Sequence, residues 1–110
     1  MPSYLLQVSY TAESLSALIG DPQNRADAVR KPIEVLGGRL INSWLSFGEF
    51  DLIAVVEMPD TLSAAAFVLA ISAGGSLRTV RTTPLLTLDE GLKAMKLANA
   101  SGYEPVVIDR

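Results

Sequence analysis

Polar and apolar residues alternate through residues 3–10 (SYLLQVSY). That predicts a strand with Tyr4, Leu6, Val8 and Tyr10 on one face and Ser3, Leu5, Gln7 and Ser9 on the other. Thr11 reads as a helix N-cap, with Ser14 at the third helical position, where a capping box would place Glu. A short helix follows over Ala12 to Ile19 and stops at Gly20. Asp21-Pro22 reads as a second start, with Asp as cap and Pro at the first helical position. From there to Leu36, Ala26, Val29, Ile33 and Leu36 recur at helical spacing. Pro32 removes one hydrogen bond inside this helix and kinks it, and Gly37-Gly38 ends it.

Residues 39–46 (RLINSWLS) alternate again, which sets Leu40, Asn42, Trp44 and Ser46 on one side of a second strand. Phe47 to Phe50 form a turn, and Asp51 to Met58 is a third strand, apolar on both faces as a central strand is. Thr61 to Ala73 is a helix with almost no polar face, closed by Gly74-Gly75. A fourth strand spans residues 76–84, and Thr87 to Glu90 carry a capping box that opens a last helix to about Ala98. Residues 1–98 therefore form one domain. The tail, residues 99–110, is an arm on a neighbour or a mobile end, with Val106-Val107-Ile108 as its apolar part. The order βαββαβ with a C-terminal helix predicts an α+β, ferredoxin-like fold: an antiparallel four-stranded sheet with two helices on one face.

Composition narrows the chemistry. The 110 residues include no Cys and no His, which excludes a disulfide framework, a thiolate nucleophile, a Ser-His-Asp triad and Cys- or His-ligated metals. No metal and no cofactor is expected. A net charge of −3 is not the footprint of a nucleic-acid binder, so no nucleic-acid partner is expected. The start, Met1 to Gln7, lacks the basic region and long apolar core of a signal peptide, and the longest apolar run, Ala64 to Ile71, is eight residues. A membrane span needs about 18. The expectation is a cytoplasmic protein without a membrane role. Hydrophobic residues make up 49% and charged ones only 19%, sparse surface charge for a small monomer. A helix apolar all round, such as Thr61 to Ala73, should be buried, so its outer side calls for a second subunit.

The segment Trp44 to Asp51 holds the most distinctive candidate residues. Glu49 and Asp51 lie beside Trp44, Phe47 and Phe50, and a carboxylate against apolar rings can be tuned as an acid or base. The plainer alternative is a tight hairpin with solvated acids and Gly48 for backbone freedom. Arg78 and Arg81 fall on opposite faces of their strand. Each could pair with Glu57, Asp51 or an acid of a partner chain, or meet an anionic ligand. Arg25, Arg30 and Lys31 share a helix with Asp27 and Glu34, so Asp27–Lys31 and Arg30–Glu34 pairs on a solvated face account for them. Tyr4 and Tyr10 read as core or interface residues, with proton transfer as the alternative. Gly74-Gly75-Ser76 follows a helix, whereas a phosphate loop precedes one, so no nucleotide loop is present.

Leu36-Gly-Gly-Arg-Leu40, Phe47-Gly-Glu-Phe-Asp51, Val56-Glu-Met-Pro-Asp60, the run from Val80 to Thr87, and Tyr103-Glu-Pro105 occur in an order and spacing that resemble the GYD domain family. Phe50 stands at the aromatic position of the family's Gly-Tyr-Asp-like signature, so no phenol is available there for proton transfer. The resemblance implies a ferredoxin-like fold of the dimeric α+β-barrel type, in which two sheets pack face to face, with a pocket in each protomer between sheet and helices. It implies no single activity, since that architecture hosts monooxygenases, isomerases, decarboxylases and ligand sensors.

The leading expectation is a homo-oligomeric module that binds a small organic molecule or serves in assembly. Trp44, Phe47, Glu49, Phe50 and Asp51 would be its ligand-binding residues. One alternative is a cofactor-independent, metal-free enzyme, monooxygenase- or isomerase-like. Glu49 or Asp51 would then be the base and Arg78 or Arg81 would stabilise an enolate-like charge. Another is a purely structural assembly subunit.

Overall fold

Residues 3–10 pair on both sides, which places them inside the sheet rather than at its edge. In the computed structural model, which describes residues 1–107, strand β1 (Ser3–Tyr10) runs antiparallel to β3 (Leu52–Glu57) and to β4 (Leu77–Leu85). Strand β2 (Arg39–Leu45) pairs antiparallel with β3, giving the order β2-β3-β1-β4. Helices α1 (Ala12–Gly20) and α2 (Arg25–Val35) join β1 to β2. Helix α3 (Thr61–Ala73) joins β3 to β4, and α4 (Leu88–Ala100) follows β4. This is the expected α+β, ferredoxin-like arrangement.

The alternation in β1 decides which face is the core. Tyr4, Leu6 and Val8 are buried with Ala54 and Val56 of β3, Met58, Ile33 of α2, and Ala64 and Phe67 of α3. Leu5 and Gln7 stand opposite Val55 and Ile53 on the other face, all half-buried. No helix of the described residues is long and apolar enough to cross a membrane.

Four local expectations are corrected. Helix α2 starts at Arg25, not Pro22. Asn24 is its cap, accepting from the Ala26 amide at 3.0 Å, while Asp21 instead ends α1 through its own amide to the Ala17 carbonyl. An Asn cap immediately before the periodic run competes successfully with Asp-Pro, and the four residues between form the link. The α2 ion pair is Arg30–Asp27 at 2.9 Å, one helical turn back, rather than Asp27–Lys31 or Arg30–Glu34. The alternation in β2 breaks at a bulge: the register passes from Leu40↔Val56 to Asn42↔Val55, leaving Ile41 as an extra residue. Leu40 therefore shares the core face with Ser43 and Leu45, and Asn42 and Trp44 turn to the opposite face. Finally, Glu57 pairs with Arg39 (Nε to Oε1 3.0 Å) rather than with Arg78 or Arg81.

Other local readings hold. Thr11 caps α1 by accepting from the Ser14 amide. Thr87 and Glu90 form a reciprocal capping box at α4, which runs two residues beyond the expected Ala98. Pro32 sits inside α2. Helix α3 buries Ala64 and Phe67 within the chain, while Leu62 and Leu69 on its other side, the side expected to meet a second subunit, are exposed.

Helix α4 has no buried residue at all. The radius of gyration, 17.9 Å, exceeds the ~13 Å of a compact chain of this length, because α4 projects from the end of β4. Beyond it, Tyr103, Val106 and Val107 are exposed in a segment without helix or strand. Ile108, the last member of the apolar tail run, lies outside the described residues.

Candidate functional site

Helix α1 carries Leu15, Leu18 and Ile19 along one stripe, yet buries none of its residues. A short helix that stands off the sheet leaves a space, and here that space is a cavity of about 560 Å³. Leu15, Leu18 and Ile19 form one wall, Ser43, Trp44 and Leu45 of β2 the opposite one, and Leu52 lies on the sheet side. The link and first turn of α2 close an end with Asn24, Arg25 and Ala26, at the positive pole of the helix dipole. Tyr10, Pro22 and Gln23 complete the lining. Both Tyr10 and Arg25 also border two smaller recesses of about 200 and 350 Å³.

Burial pushes the Tyr10 phenol above its ordinary pKa of 10.0, against the pull of the neighbouring Arg25 guanidinium, and the Asp51 carboxylate adds to the rise. The hydroxyl is therefore a neutral donor at physiological pH. The Arg25 guanidinium donates to Gln23 Oε1 at 3.2 Å.

The hairpin residues singled out in the sequence have a different placement. Of Trp44, Phe47, Glu49, Phe50 and Asp51, only Trp44 lines the cavity. Phe47 is fully exposed, and Glu49 is exposed while its carbonyl accepts from the buried Ser9 hydroxyl at 2.9 Å. Asp51 ties the hairpin to β1: its Oδ2 accepts from the Tyr10 amide at 2.8 Å, and its own amide donates to the Val8 carbonyl at 2.8 Å. Phe50 is buried away from the main core, with the Arg81 guanidinium 5.3 Å from its ring centroid, a cation–π distance. Arg78 is exposed beside the β1–β4 register shift. The structure thus brings Asp51 near Tyr10 and Arg81 onto Phe50, but gathers no Glu49–Asp51–Arg set around one space. Among the described residues, no group of three carboxylates is placed to hold a cation.

Sequence reasoning assigned Arg25 to a solvated face and Tyr10 to the core or an interface. The available signal was the Leu15–Leu18–Ile19 stripe, which starts five residues after Tyr10 and is not buried by any of the described residues.

Comparison with known proteins agrees with this architecture. The crystal structure of FFRP-DM1 superposes with a TM-score of 0.50 at 16% identity, over 78% of this chain and 100% of that one. A hypothetical protein, PHS023 from Pyrococcus horikoshii, superposes at 0.52 and 15% identity, over 79% and 92%. At such identities the likeness is one of fold. Among curated proteins, none matches. The GYD domain model matches residues 4–95, so the chain belongs to the GYD domain family.

Proposed function

We propose that this chain is a self-associating α+β-barrel protein that holds a small organic molecule between α1 and β2. The observation that carries the ligand reading is the cavity itself, whose volume lies within the few-hundred to ~1,000 Å³ range of small-molecule sites. Its walls are apolar, with polar groups concentrated at the Tyr10–Arg25 end. Trp44, the single tryptophan, belongs to the β2 segment that lines the cavity, with its register turned to the opposite sheet face, and it reports on occupancy through that strand. Octanamide, a neutral apolar probe, is expected to change Trp44 fluorescence saturably, and Ser43→Phe to weaken that binding by filling the space. A signal that does not saturate, or one indifferent to Ser43→Phe, overturns the site.

Self-association rests on two uncovered surfaces. One is the sheet face away from the helices, with Leu5, Ile53 and Val55 half-buried and Trp44 exposed. The other is α4, on which Leu88, Leu92 and Met95 recur at helical spacing and are exposed. An isolated helix of this length is marginal in water, so α4 gains from a second copy to pack on. Two such sheets facing each other form the barrel. Sedimentation should give a dimer or larger species at micromolar concentration, shifted toward monomer by Leu92→Glu with Met95→Glu. A wild-type monomer under those conditions removes this half of the proposal.

A further inference from the structure

The polarity of the cavity wall specifies more than an apolar ligand. Among its thirteen lining residues Arg25 is the one with a charged side chain, and no Asp or Glu faces it across the space. Arg25 takes part in neither ion pair found among the described residues, Arg30–Asp27 and Arg39–Glu57; it donates to the neutral Gln23 amide oxygen and lies against the Tyr10 hydroxyl. Asp51 and Asp21, on neighbouring segments, lie outside the cavity lining. Asp51 accepts from the Tyr10 amide, and Asp21 borders the 350 Å³ recess, which shares Tyr10, Leu18, Gln23 and Arg25 with the cavity, but pairs with no cation among the described residues. Beside Arg25, the Tyr10 hydroxyl is a second donor. Leu15, Leu18, Ile19, Leu45 and Leu52 offer apolar contact, while Gln23, Asn24 and Ser43 add uncharged polar groups.

We infer that the cavity takes an amphipathic organic anion, a carboxylate on an apolar body, with the carboxylate at the Tyr10–Arg25 end and the body between α1 and β2. The inference rests on the proposal that the cavity is a ligand site and adds the charge and polarity of that ligand. The physical reasons are two. A guanidinium is weakly hydrated and presents a planar fork that fits a carboxylate, so a half-buried Arg without an acid gains most from an anion. The apolar side chains of the cavity reward a hydrocarbon or aromatic body in proportion to the area covered.

The test compares three probes with the same eight-carbon body, followed through Trp44 fluorescence: octanoate, octanamide and octylammonium. Octanoate is expected to bind at least about tenfold more tightly than octanamide, the value of one charge-assisted hydrogen bond, with octylammonium weakest. Arg25→Gln should erase the advantage of octanoate over octanamide, and Arg25→Lys should restore part of it. Circular dichroism and the melting temperature establish that each variant is folded. Ser43→Phe should weaken octanoate as it does octanamide. If octanamide and octanoate bind wild type equally, or the preference survives Arg25→Gln, the anion inference is overturned while the cavity stands. Octanoate binding untouched by Ser43→Phe is association elsewhere on the surface and also overturns it. If none of the three probes binds, both the cavity reading and the inference built on it fall.

Discussion

Phe67→Ala is expected to destabilise the fold by about 3–5 kcal/mol, the usual range for emptying a buried aromatic site. Helix α3 buries only two side chains, Ala64 and Phe67, and Phe67 is 1% exposed. It therefore supplies the largest fully buried apolar volume by which α3 is held against Tyr4, Leu6 and Val8 of the sheet, with the half-buried Ile71 packed against the same core. Ala64 next to it is too small to shift into the space, and the sheet beneath is held by pairing on both sides of β1, so collapse around the cavity is limited. Urea denaturation followed by circular dichroism measures the change. Leu69→Ala is the control, since Leu69 is 70% exposed and its removal in an isolated protomer should change little. A Phe67→Ala loss below about 1 kcal/mol would show that the α3 anchor is elsewhere.

Gly38→Ala should have the next largest effect, about 3 kcal/mol, for the addition of a single methyl group. A Cβ at Gly38 would collide with Met58 Sδ and the Glu57 carbonyl and approach Ile33 Cγ2 to 3.1 Å. Met58 and Ile33 are both fully buried, and the Glu57 carbonyl is backbone, so nothing in contact can move freely. Gly38 is where the chain leaves α2 and returns against the end of β3, and close backbone approach is what glycine permits there. The preceding Gly37 has φ +84°, a left-handed conformation that completes the reversal. Gly48→Ala provides the comparison: a Cβ there meets nothing within 4 Å. Equal losses at Gly38 and Gly48 would refute the close-approach account, and urea midpoints for the two variants decide it.

Legibility in the sequence followed the range of the interaction. The Tyr4–Leu6–Val8 face, the Thr11 and Thr87 caps and the Gly37-Gly38 reversal are settled by neighbours within a few residues, and each was readable. The Ile41 bulge was not. A strict alternation over RLINSWLS looks regular, and the extra residue emerges only when β2 is aligned with β3. The start of α2 was misread because Asp21-Pro22 and Asn24 are both acceptable starts locally, and where α1 ends decides between them.

The candidate site divides in the same way. Gly48-Glu49-Phe50-Asp51 stood out in sequence because acids and aromatic rings are adjacent there. In the structure the Asp51 carboxylate is an anchor for the Tyr10 amide, and Phe50 packs beneath Arg81. Tyr10, Arg25 and the α1 stripe are ordinary residues in sequence, far from the hairpin, and they meet because α1 and α2 cross the β2 side of the sheet.

By itself, then, the sequence determined the elements, their order, the core face of β1 and the exclusion of Cys and His chemistry, since periodicity and composition are properties of local chain and residue type. Only the tertiary structure decided that α1 stands clear of the sheet, that an arginine without an acid closes the resulting cavity, and that α4 projects without cover. Each of these depends on distances between segments that no local pattern encodes.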